Sequence, residues 1–326
     1  MKELIEMAEA CKTITKRIGI DTGNSFTNVV GEQNYYDVFS SCLVENFGNK
    51  REDGENTIEI DNRHFTIGQG ELTAESASRR DMTKYEALIY YAICRNLEHC
   101  KIDTNKQTVE IHLGIGLPCG NYSDNKAKYS ETFKNKVVNC KYKGKEVKFM
   151  VSLVRVVPQG SIVAHNHKEL FKNIPIGYII DFGSFTIDVQ RIINGELSKT
   201  ERKSYEIGTI KILQDIGDVM NRLGGSFVDL KDMERALIDG EFVTEDGMVS
   251  IEHPEIQEIL NEKINAIVDR IKRQHSEIRS SRLTYIIGGG AIVFRDRLEK
   301  AFVNSRIEDN PERLNAQEYY YFIGGR

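Results

Sequence analysis

The chain has 326 residues, of which 40% are hydrophobic and 29% are charged, and it contains only five prolines. This globular composition excludes a largely disordered chain, a collagen-like chain and a disulfide scaffold, and the length predicts about two domains. The formal net charge of −5 argues against direct nucleic-acid binding, because a phosphate-binding surface needs clustered Lys and Arg. The sequence also lacks an apolar run long enough to cross a membrane.

The N-terminal segment and the cysteines indicate where in the cell the protein is located. Residues 1–10 carry Leu4, Ile5 and Ala8 at helical spacing, which predicts a short amphipathic helix. Its polar face is acidic, which favours docking on the protein or on a subunit over a membrane surface. Glutamates interrupt the apolar stretch that a signal peptide needs. The six cysteines form no CxxC pair and predict free thiols in a reducing compartment. We expect a soluble, cytoplasmic protein.

In the first half, β-branched and apolar runs predict strands, and apolar residues spaced by three and four predict helices. The predicted strands are 17–21, 26–31, 35–44, 57–61, 64–68, 109–117 and 152–157, with a Lys-Gly-Lys turn inside 142–151. The predicted helices are 83–99 and 124–137.

The second half repeats this order of elements. Strands are predicted over 177–181, 186–193, 197–204 and 283–287, and helices over 207–223, 230–237, 254–273, 291–302 and 312–321. The Asn194-Gly195 dipeptide predicts a tight hairpin. Because strands, helix, strand, helix and strand occur twice in the same order, the sequence predicts an internal duplication.

Each half contains a similar turn after an apolar strand. The first reads Asp21-Thr-Gly-Asn-Ser-Phe-Thr and the second Asp181-Phe-Gly-Ser-Phe-Thr, and they share Ser-Phe-Thr after a shift of one residue. An aspartate at a strand end can hold a hydrated Mg²⁺, and the turn can offer backbone N–H groups to phosphate. Gly23 and Gly183 permit a positive φ and a close backbone approach. One such turn alone is more typical of an ordinary hairpin; two facing each other would clamp a triphosphate.

Three further motifs accompany the two turns. Tyr285-Ile-Ile-Gly-Gly-Gly-Ala-Ile-Val293 is a buried strand that ends in three glycines and opens a helix, which allows close approach to a nucleotide. The segment from Gly114-Ile-Gly-Leu-Pro-Cys119 to Val156-Val-Pro-Gln-Gly160, and the C-terminal segment 315–325, complete the set. In this order the five motifs resemble phosphate 1, connect 1, phosphate 2, adenosine and connect 2 of the actin, heat-shock-chaperone and sugar-kinase ATPase superfamily.

The Gly-Leu-Pro motif, the compact length and the C-terminal Phe-Ile-Gly resemble ParM-like plasmid-segregation actins and their archaeal-type relatives. The resemblance implies an α/β protein with the actin-like ATPase fold, in which two ribonuclease-H-like domains surround a nucleotide cleft. Domain I would comprise 1–158 plus about 309–326, and domain II would comprise 159–308. The implied activity is binding of ATP or GTP with Mg²⁺, polymerisation into filaments, slow ATP hydrolysis after assembly, and plasmid DNA segregation through a DNA-bound ParR-like adaptor.

The resemblance also implies roles for individual residues. Asp21 and Asp181 would act on Mg²⁺ through its waters, and Gln159 would orient the attacking water, so that Gln159 and Asp181 form the catalytic pair. The β-phosphate would lie near Thr22, Gly23, Asn24, Ser25 and Thr27, and the γ-phosphate near Gly183, Ser184, Phe185 and Thr186. Gly288, Gly289, Gly290, Lys211 and Glu234 would contact the adenosine side. Asn28 and Val29 stand where many actins have a lysine, so this stretch lacks one positive phosphate contact.

Several alternatives stay open at this stage. Gln159 fits a solvent-facing helix start as well as a catalytic position, and Lys211 and Glu234 fit exposed helix charges. The Tyr-Tyr-Tyr-Phe run at 319–322 fits a filament contact or the packing of a C-terminal helix. The whole chain could instead be a small-molecule kinase of the same superfamily, with Asp188 as a candidate base, or a cell-division or cytoskeletal actin-like scaffold.

Overall fold

The computed structural model describes residues 13–47, 54–70, 81–226 and 230–324. These residues form two compact units. The first combines the described residues up to Asn166 with those from Arg313 onward, and the second comprises His167–Glu312. Residues 159–166 therefore lie in the first unit and 309–312 in the second, whereas the predicted boundaries fell at 158 and about 309. The helix predicted over 1–10 lies outside the described residues.

The first unit is an α/β unit built on a nine-stranded sheet of order β3-β2-β1-β7-β9-β8-β5-β6-β4. Its strands are β1 (Thr13–Thr22), β2 (Phe26–Gly31), β3 (Tyr35–Ser40), β4 (Leu43–Asn46), β5 (Thr57–Ile60), β6 (Arg63–Ile67), β7 (Thr108–Leu117), β8 (Lys136–Tyr142) and β9 (Lys145–Pro158). Its helices are α1 (Met82–His99), α2 (Tyr122–Phe133), α3 (Ser161–Asn166) and the C-terminal helix, Leu314–Phe322.

The long helix α1 covers one face of this sheet. Asp81 caps its N-terminus by accepting hydrogen bonds from the backbone N–H groups of Thr83 and Lys84, which satisfies donors that have no partner inside the helix. All the apolar residues that predicted this helix are buried, namely Tyr85, Leu88, Ile89, Ala92, Ile93 and Leu97. The central strands β1, β7 and β9 run parallel to one another. The last five residues of β1 and of β7 are all buried, as expected for parallel strands covered on both faces.

The C-terminal helix crosses the centre of the same sheet at close range. A Cβ atom at Gly19 would lie 2.1 Å from the carbonyl oxygen of Ala316, and one at Gly116 would lie 1.9 Å from the hydroxyl of Tyr319. Real Cβ contacts are never this short, so the glycines of β1 and β7 are what allow this helix to approach. Tyr319 is buried in that contact, which favours packing over a filament contact for this residue.

The second unit repeats the core connectivity of the first. Its helices are α4 (Lys168–Phe171), α5 (Ile210–Arg222), α6 (Leu230–Asp239), α7 (Pro254–Gln274), α8 (Gly289–Val293) and α9 (Arg295–Ala301), and Leu314–Phe322 of the first unit is α10. Its strands are β10 (Ile176–Phe182), β11 (Ile187–Ile193), β12 (Glu196–Tyr205), β13 (Glu241–Thr244), β14 (Gly247–Ser250), β15 (Leu283–Ile287) and β16 (Ser305–Ile307). The main sheet has the order β12-β11-β10-β15-β16, which matches β3-β2-β1-β7-β9 of the first sheet.

Several predicted elements differ from the structure. The run 35–44 is two strands separated at Ser41 and Cys42, and the helix predicted over 124–137 ends at Phe133 because Asn135 has a positive φ and leads into β8. The helix predicted over 291–302 is two short helices that meet at Phe294. The hairpin β13–β14 and the strand β16 were not predicted. In the part of the chain that is described, no helix is both long enough and apolar enough to span a membrane.

Candidate functional site

The first motif forms the turn between β1 and β2, with four residues between the last pair of the hairpin, Thr22 and Thr27. Asp21 pairs with Asn28 across the hairpin and Thr22 pairs with Thr27, and the carboxylate of Asp21 is buried at the end of its strand. Within the described residues the hydroxyl of Ser25 is buried and has no hydrogen-bond partner. Because a buried hydroxyl without a partner is unfavourable, this turn retains an unused donor of the kind that a phosphate oxygen accepts.

The second motif forms the same turn between β10 and β11. Asp181 pairs with Asp188 and Phe182 pairs with Ile187, so each hairpin pairs its aspartate with the residue seven positions later. This register makes Asp181 equivalent to Asp21 and Phe185 equivalent to Ser25. The Ser-Phe-Thr sequences of the two turns therefore do not occupy equivalent positions. What the two hairpins share is the backbone register and the position of the aspartate.

The glycine of each turn is explained by close approach alone. A Cβ at Gly23 would lie 2.8 Å from the carbonyl oxygen of Phe26, and a Cβ at Gly183 would lie 2.8 Å from that of Thr186. Neither glycine is among the residues with a positive φ, so that part of the prediction was wrong. The identical contact shows that the two backbones fold back on themselves at the same point, where a side chain would collide with a carbonyl oxygen.

Asp188 is a candidate residue that the motif comparison did not assign to the site. It lies directly across from Asp181, so both carboxylates lie on one face of the sheet, and its side chain is only 2% exposed. The hydroxyl of Ser204 on β12 donates a short hydrogen bond to Asp188 Oδ1. The spacing of seven between two aspartates around a four-residue turn was the signal that could have identified it.

Gln159 lies at the end of β9 and contacts the first hairpin. Its Nε2 donates to Asp21 Oδ1 over 3.0 Å. Its backbone N–H donates to the carbonyl of Leu117 over 2.8 Å, and its own carbonyl accepts from the thiol of Cys119 over 3.0 Å. The side chain of Gln159 is therefore held against the Asp21 carboxylate. It does not simply face solvent at the start of a helix, which was the alternative left open by the sequence.

The three-glycine turn follows β15 and lies against the second hairpin. Gly288 has φ +92°, and a Cβ there would lie 2.4 Å from Asp181 Oδ1. A Cβ at Gly290 would lie 2.5 Å from the Thr209 methyl group, whereas one at Gly289 would meet nothing within 4 Å. The structure thus brings Gly288 and Asp181 together and leaves Gly289 facing open space.

The N-terminus of α5 completes this part of the second unit. The backbone N–H of Thr209 donates to the carbonyl of Gly183 over 3.2 Å, and that of Ile210 donates to the carbonyl of Ser184 over 2.9 Å. A Cβ at Gly208 would lie 1.9 Å from the Ser184 carbonyl oxygen. The second hairpin, the start of α5 and the glycine turn therefore form one contiguous group.

Lys211 and Glu234 lie on helices α5 and α6, outside the second hairpin and the glycine turn. Lys211 is exposed on α5 and forms an ion pair with Asp215 over 2.8 Å, and nothing in its contacts joins it to the hairpin. Glu234 is half-buried on α6, a helix that contacts α8 after the glycine turn. Its helix thus lies next to the predicted adenosine motif.

The carboxylates suit a hydrated cation better than a fully protein-bound one. Among the described residues, no three His, Cys, Asp or Glu side chains form a group that could hold a metal ion. Mg²⁺ usually keeps several waters and takes one or two carboxylates together with substrate phosphates. Asp21 and Asp181, each at the end of a buried strand, fit that manner of binding.

Comparisons with known proteins agree with this architecture. Residues 19–161 match the family model "Actin like proteins N terminal domain", and residues 179–300 match "Archaeal actin homologue MreB-like, C-terminal". The chain belongs to the actin-like protein family. No curated protein sequence matches the chain.

Solved structures of similar fold include archaeal and bacterial actin homologues. The archaeal actin homolog Ta0583 in complex with ADP is 21% identical with a TM-score of 0.76, covering 94% of this chain and 98% of that chain. A 15-stranded ParM filament from Clostridium botulinum is 19% identical with a TM-score of 0.67, covering 95% and 99%. Bacillus thuringiensis ParM with AMPPNP is 16% identical with a TM-score of 0.64, covering 94% and 98%. The predicted actin-like ATPase fold is confirmed.

Proposed function

We propose that this protein is a filament-forming actin-like ATPase of the ParM type that segregates plasmid DNA in the cytoplasm. In this proposal the first unit is actin domain I and the second is actin domain II. The observation that carries it is the pair of hairpins with identical register, each with a buried aspartate and a glycine where the backbone folds back too closely for a side chain. A hairpin with a purely structural role does not require this combination, and here it occurs in both hairpins.

The nucleotide would be ATP or GTP with Mg²⁺. Asp21 and Asp181 would hold the ion through its waters, and the ion would neutralise charge on the phosphates when bound. The unpartnered hydroxyl of Ser25 would donate a hydrogen bond to a phosphate oxygen. Structures of similar fold with ADP and with AMPPNP support a nucleotide as the ligand.

Hydrolysis would depend on Gln159. Its amide is held against Asp21, and an amide in that position can orient water by hydrogen bonding, as glutamine does in other phosphoryl-transfer enzymes. Because an uncharged amide does not remove a proton, we expect slow turnover. Slow turnover suits a filament in which hydrolysis follows assembly.

Assembly is supported by the similar folds of ParM and Alp12 filaments. A sedimentation assay tests it: the protein should pellet with Mg·ATP or Mg·GTP and stay in the supernatant with ADP. Absence of any nucleotide-dependent pellet would contradict filament formation. For segregation, a DNA-bound adaptor of the ParR kind would join filament and plasmid, and deletion of the gene from its plasmid should raise the rate of plasmid loss.

The small-molecule kinase is the weaker alternative. A kinase of this superfamily needs an aspartate base that its substrate hydroxyl can reach. Asp188 is buried and accepts a hydrogen bond from Ser204, which makes it a poor base for an incoming substrate. No observation favours the kinase over the filament.

A further inference from the structure

The residue that follows Gln159 is fixed by a side chain from the far end of the chain. The backbone N–H of Gly160 donates to Asn315 Oδ1 over 3.0 Å, in a buried hydrogen bond. Gly160 has φ +72°, a conformation that glycine adopts without strain. Asn315 lies on α10 and is itself buried. It thus satisfies a donor at the start of α3, where helix N–H groups lack partners within the helix.

The other end of α3 is held by the same C-terminal helix. Asn166 Nδ2 donates to Glu318 Oε2 over 2.7 Å and to the Glu318 carbonyl over 3.0 Å. The side chain of Glu318 is fully buried, one turn after Asn315 on α10. Burying a carboxylate costs free energy unless it is hydrogen-bonded. The hydrogen bond from Asn166 therefore stabilises the packing of α3 against α10.

Apolar contacts fill the space between these two polar contacts. Val157, Ile162 and Tyr319 form a small buried cluster, with Phe322 packed against it. The ring of His165 meets the ring of Phe322 edge to face with centroids 5.3 Å apart. Helix α3 is therefore held by α10 at its start, along its face and at its end.

We propose that Asn315 is a positioning residue for Gln159. The backbone of Gln159 is held on its N-terminal side by Leu117 and on its C-terminal side through Gly160 by Asn315, and its side chain reaches Asp21 from that fixed backbone. Removing the Asn315 acceptor frees the Gly160 N–H and lets the Gln159 amide move relative to Asp21. This inference rests on the proposed ATPase function for its effect on turnover, while the hydrogen bond to Gly160 is independent of it.

The kinetic test compares two substitutions of Asn315. Asn315→Leu removes the acceptor at similar volume, and Asn315→Asp keeps an acceptor oxygen. We expect Asn315→Leu to lower kcat for phosphate release by about 10-fold to 100-fold with a KM for ATP within about threefold of the wild type. Asn315→Asp should retain more of the rate than Asn315→Leu. Equal losses in both variants, or a loss confined to KM, would overturn the positioning role.

A double-mutant cycle separates positioning from general destabilisation. If Asn315 acts through Gln159, adding Asn315→Leu to Gln159→Ala should lower kcat no further, because the two changes then remove one function. Multiplication of the two single losses would contradict the proposal. Asn96→Leu is the matched control, because Asn96 is a fully buried asparagine of the first unit on α1; it should leave kcat unchanged.

Hydrogen exchange keeps the proposal distinct from the ATPase assignment. The backbone amides of residues 159–166 should exchange faster in Asn315→Leu than in the wild type, and no faster in Asn96→Leu. If the wild type neither binds nor hydrolyses ATP, the proposed function is wrong. The role of Asn315 in positioning Gln159 is then tested by hydrogen exchange alone. Unchanged exchange in Asn315→Leu would then overturn it, and faster exchange confined to that segment would support it.

Discussion

Asp21 and Asp181 occupy equivalent positions at the ends of buried strands. We therefore expect both residues to be equally important for Mg·ATP hydrolysis. Replacement of either residue by Ala removes a carboxylate that would hold Mg²⁺, so we expect Mg·ATP hydrolysis to fall to background in both variants. Phosphate release at saturating ATP measures it. Asp103→Ala provides a control, since the Asp103 carboxylate is exposed and its described contacts are with its chain neighbours, the Asn105 backbone N–H and Lys106. Full activity in either hairpin variant would contradict the assignment.

Gln159 should affect turnover more than binding. Gln159→Ala removes the amide that contacts Asp21 but leaves both hairpins intact, so ATP affinity should stay within about threefold. Phosphate release should slow by about 100-fold, the cost of losing an orienting contact. Titration of a fluorescent ATP analogue together with single-turnover hydrolysis separates the two effects. A loss of affinity as large as the loss of rate would remove Gln159 from its proposed role.

The sequence indicated most of the residues in each hairpin but not their partners. Asp21 and Asp181 could be found because each stands in a short motif. The bond from Gln159 to Asp21 joins residues 138 positions apart, and that from Gly160 to Asn315 joins residues 155 apart. Local spacing carries no information about such contacts. The first arises when β9 lies beside β7 and β1 in the sheet, and the second when α10 packs against α3.

At the scale of elements, the approach of α10 to the first sheet depends on glycine. Gly19→Ala would place a Cβ 2.1 Å from the Ala316 carbonyl oxygen, a backbone atom that no side-chain rotation can move. We expect a loss of about 1–3 kcal/mol in the free energy of unfolding, measured by urea denaturation. Gly54→Ala is the matched control, because its nearest contact would be 3.8 Å away. An unchanged stability in Gly19→Ala would contradict the close packing.

The junction after α7 predicts a pH dependence. His275 lies between the rings of Tyr178 and Tyr205, and within the described chain its Nε2 is buried without a partner. Burial lowers the pKa of His275 below its ordinary value of 6.5; Glu201 opposes this, and Lys203 and Arg191 add to it.

Below pH 6.5 the unfolded chain therefore binds a proton that the folded chain resists, so stability should fall as the pH drops. Urea unfolding midpoints from about pH 7.5 to about pH 5.5 measure it. In His275→Phe this part of the dependence should disappear. A pH profile identical to that of the wild type would show that His275 does not contribute.

Long elements with clear periodicity could be predicted, whereas short ones could not. Helix α1 and strand β7 agree with their predicted ranges to within a residue or so. Helix α1 has an apolar face with helical spacing, and β7 ends in a continuous run of buried residues. Strand β16 has three residues and β13–β14 have four each, too few for a period to be distinct. The break between α8 and α9 at Phe294 is not visible in the spacing of the apolar residues.

At the scale of the whole molecule, one connectivity occurs twice, in β3-β2-β1-β7-β9 and in β12-β11-β10-β15-β16. Each unit has its own buried apolar cluster. The duplication could be predicted because both motifs end an apolar strand about half a chain apart. The return of the chain to the first unit, which occurs at Arg313, was expected near residue 309 from the resemblance. The order of the four extra strands in the first sheet depends on packing that the repeat does not reveal.

The protein should assemble when it binds Mg·ATP, and hydrolysis should follow assembly. Right-angle light scattering with simultaneous phosphate release tests it most directly, on the wild type and on Asp181→Ala, with Mg·ATP and with Mg·ADP. We predict a rise in scattering with Mg·ATP followed by decay as phosphate is released, and no rise with ADP or in the variant. A flat trace for the wild type at tens of micromolar, with or without phosphate release, would contradict the account.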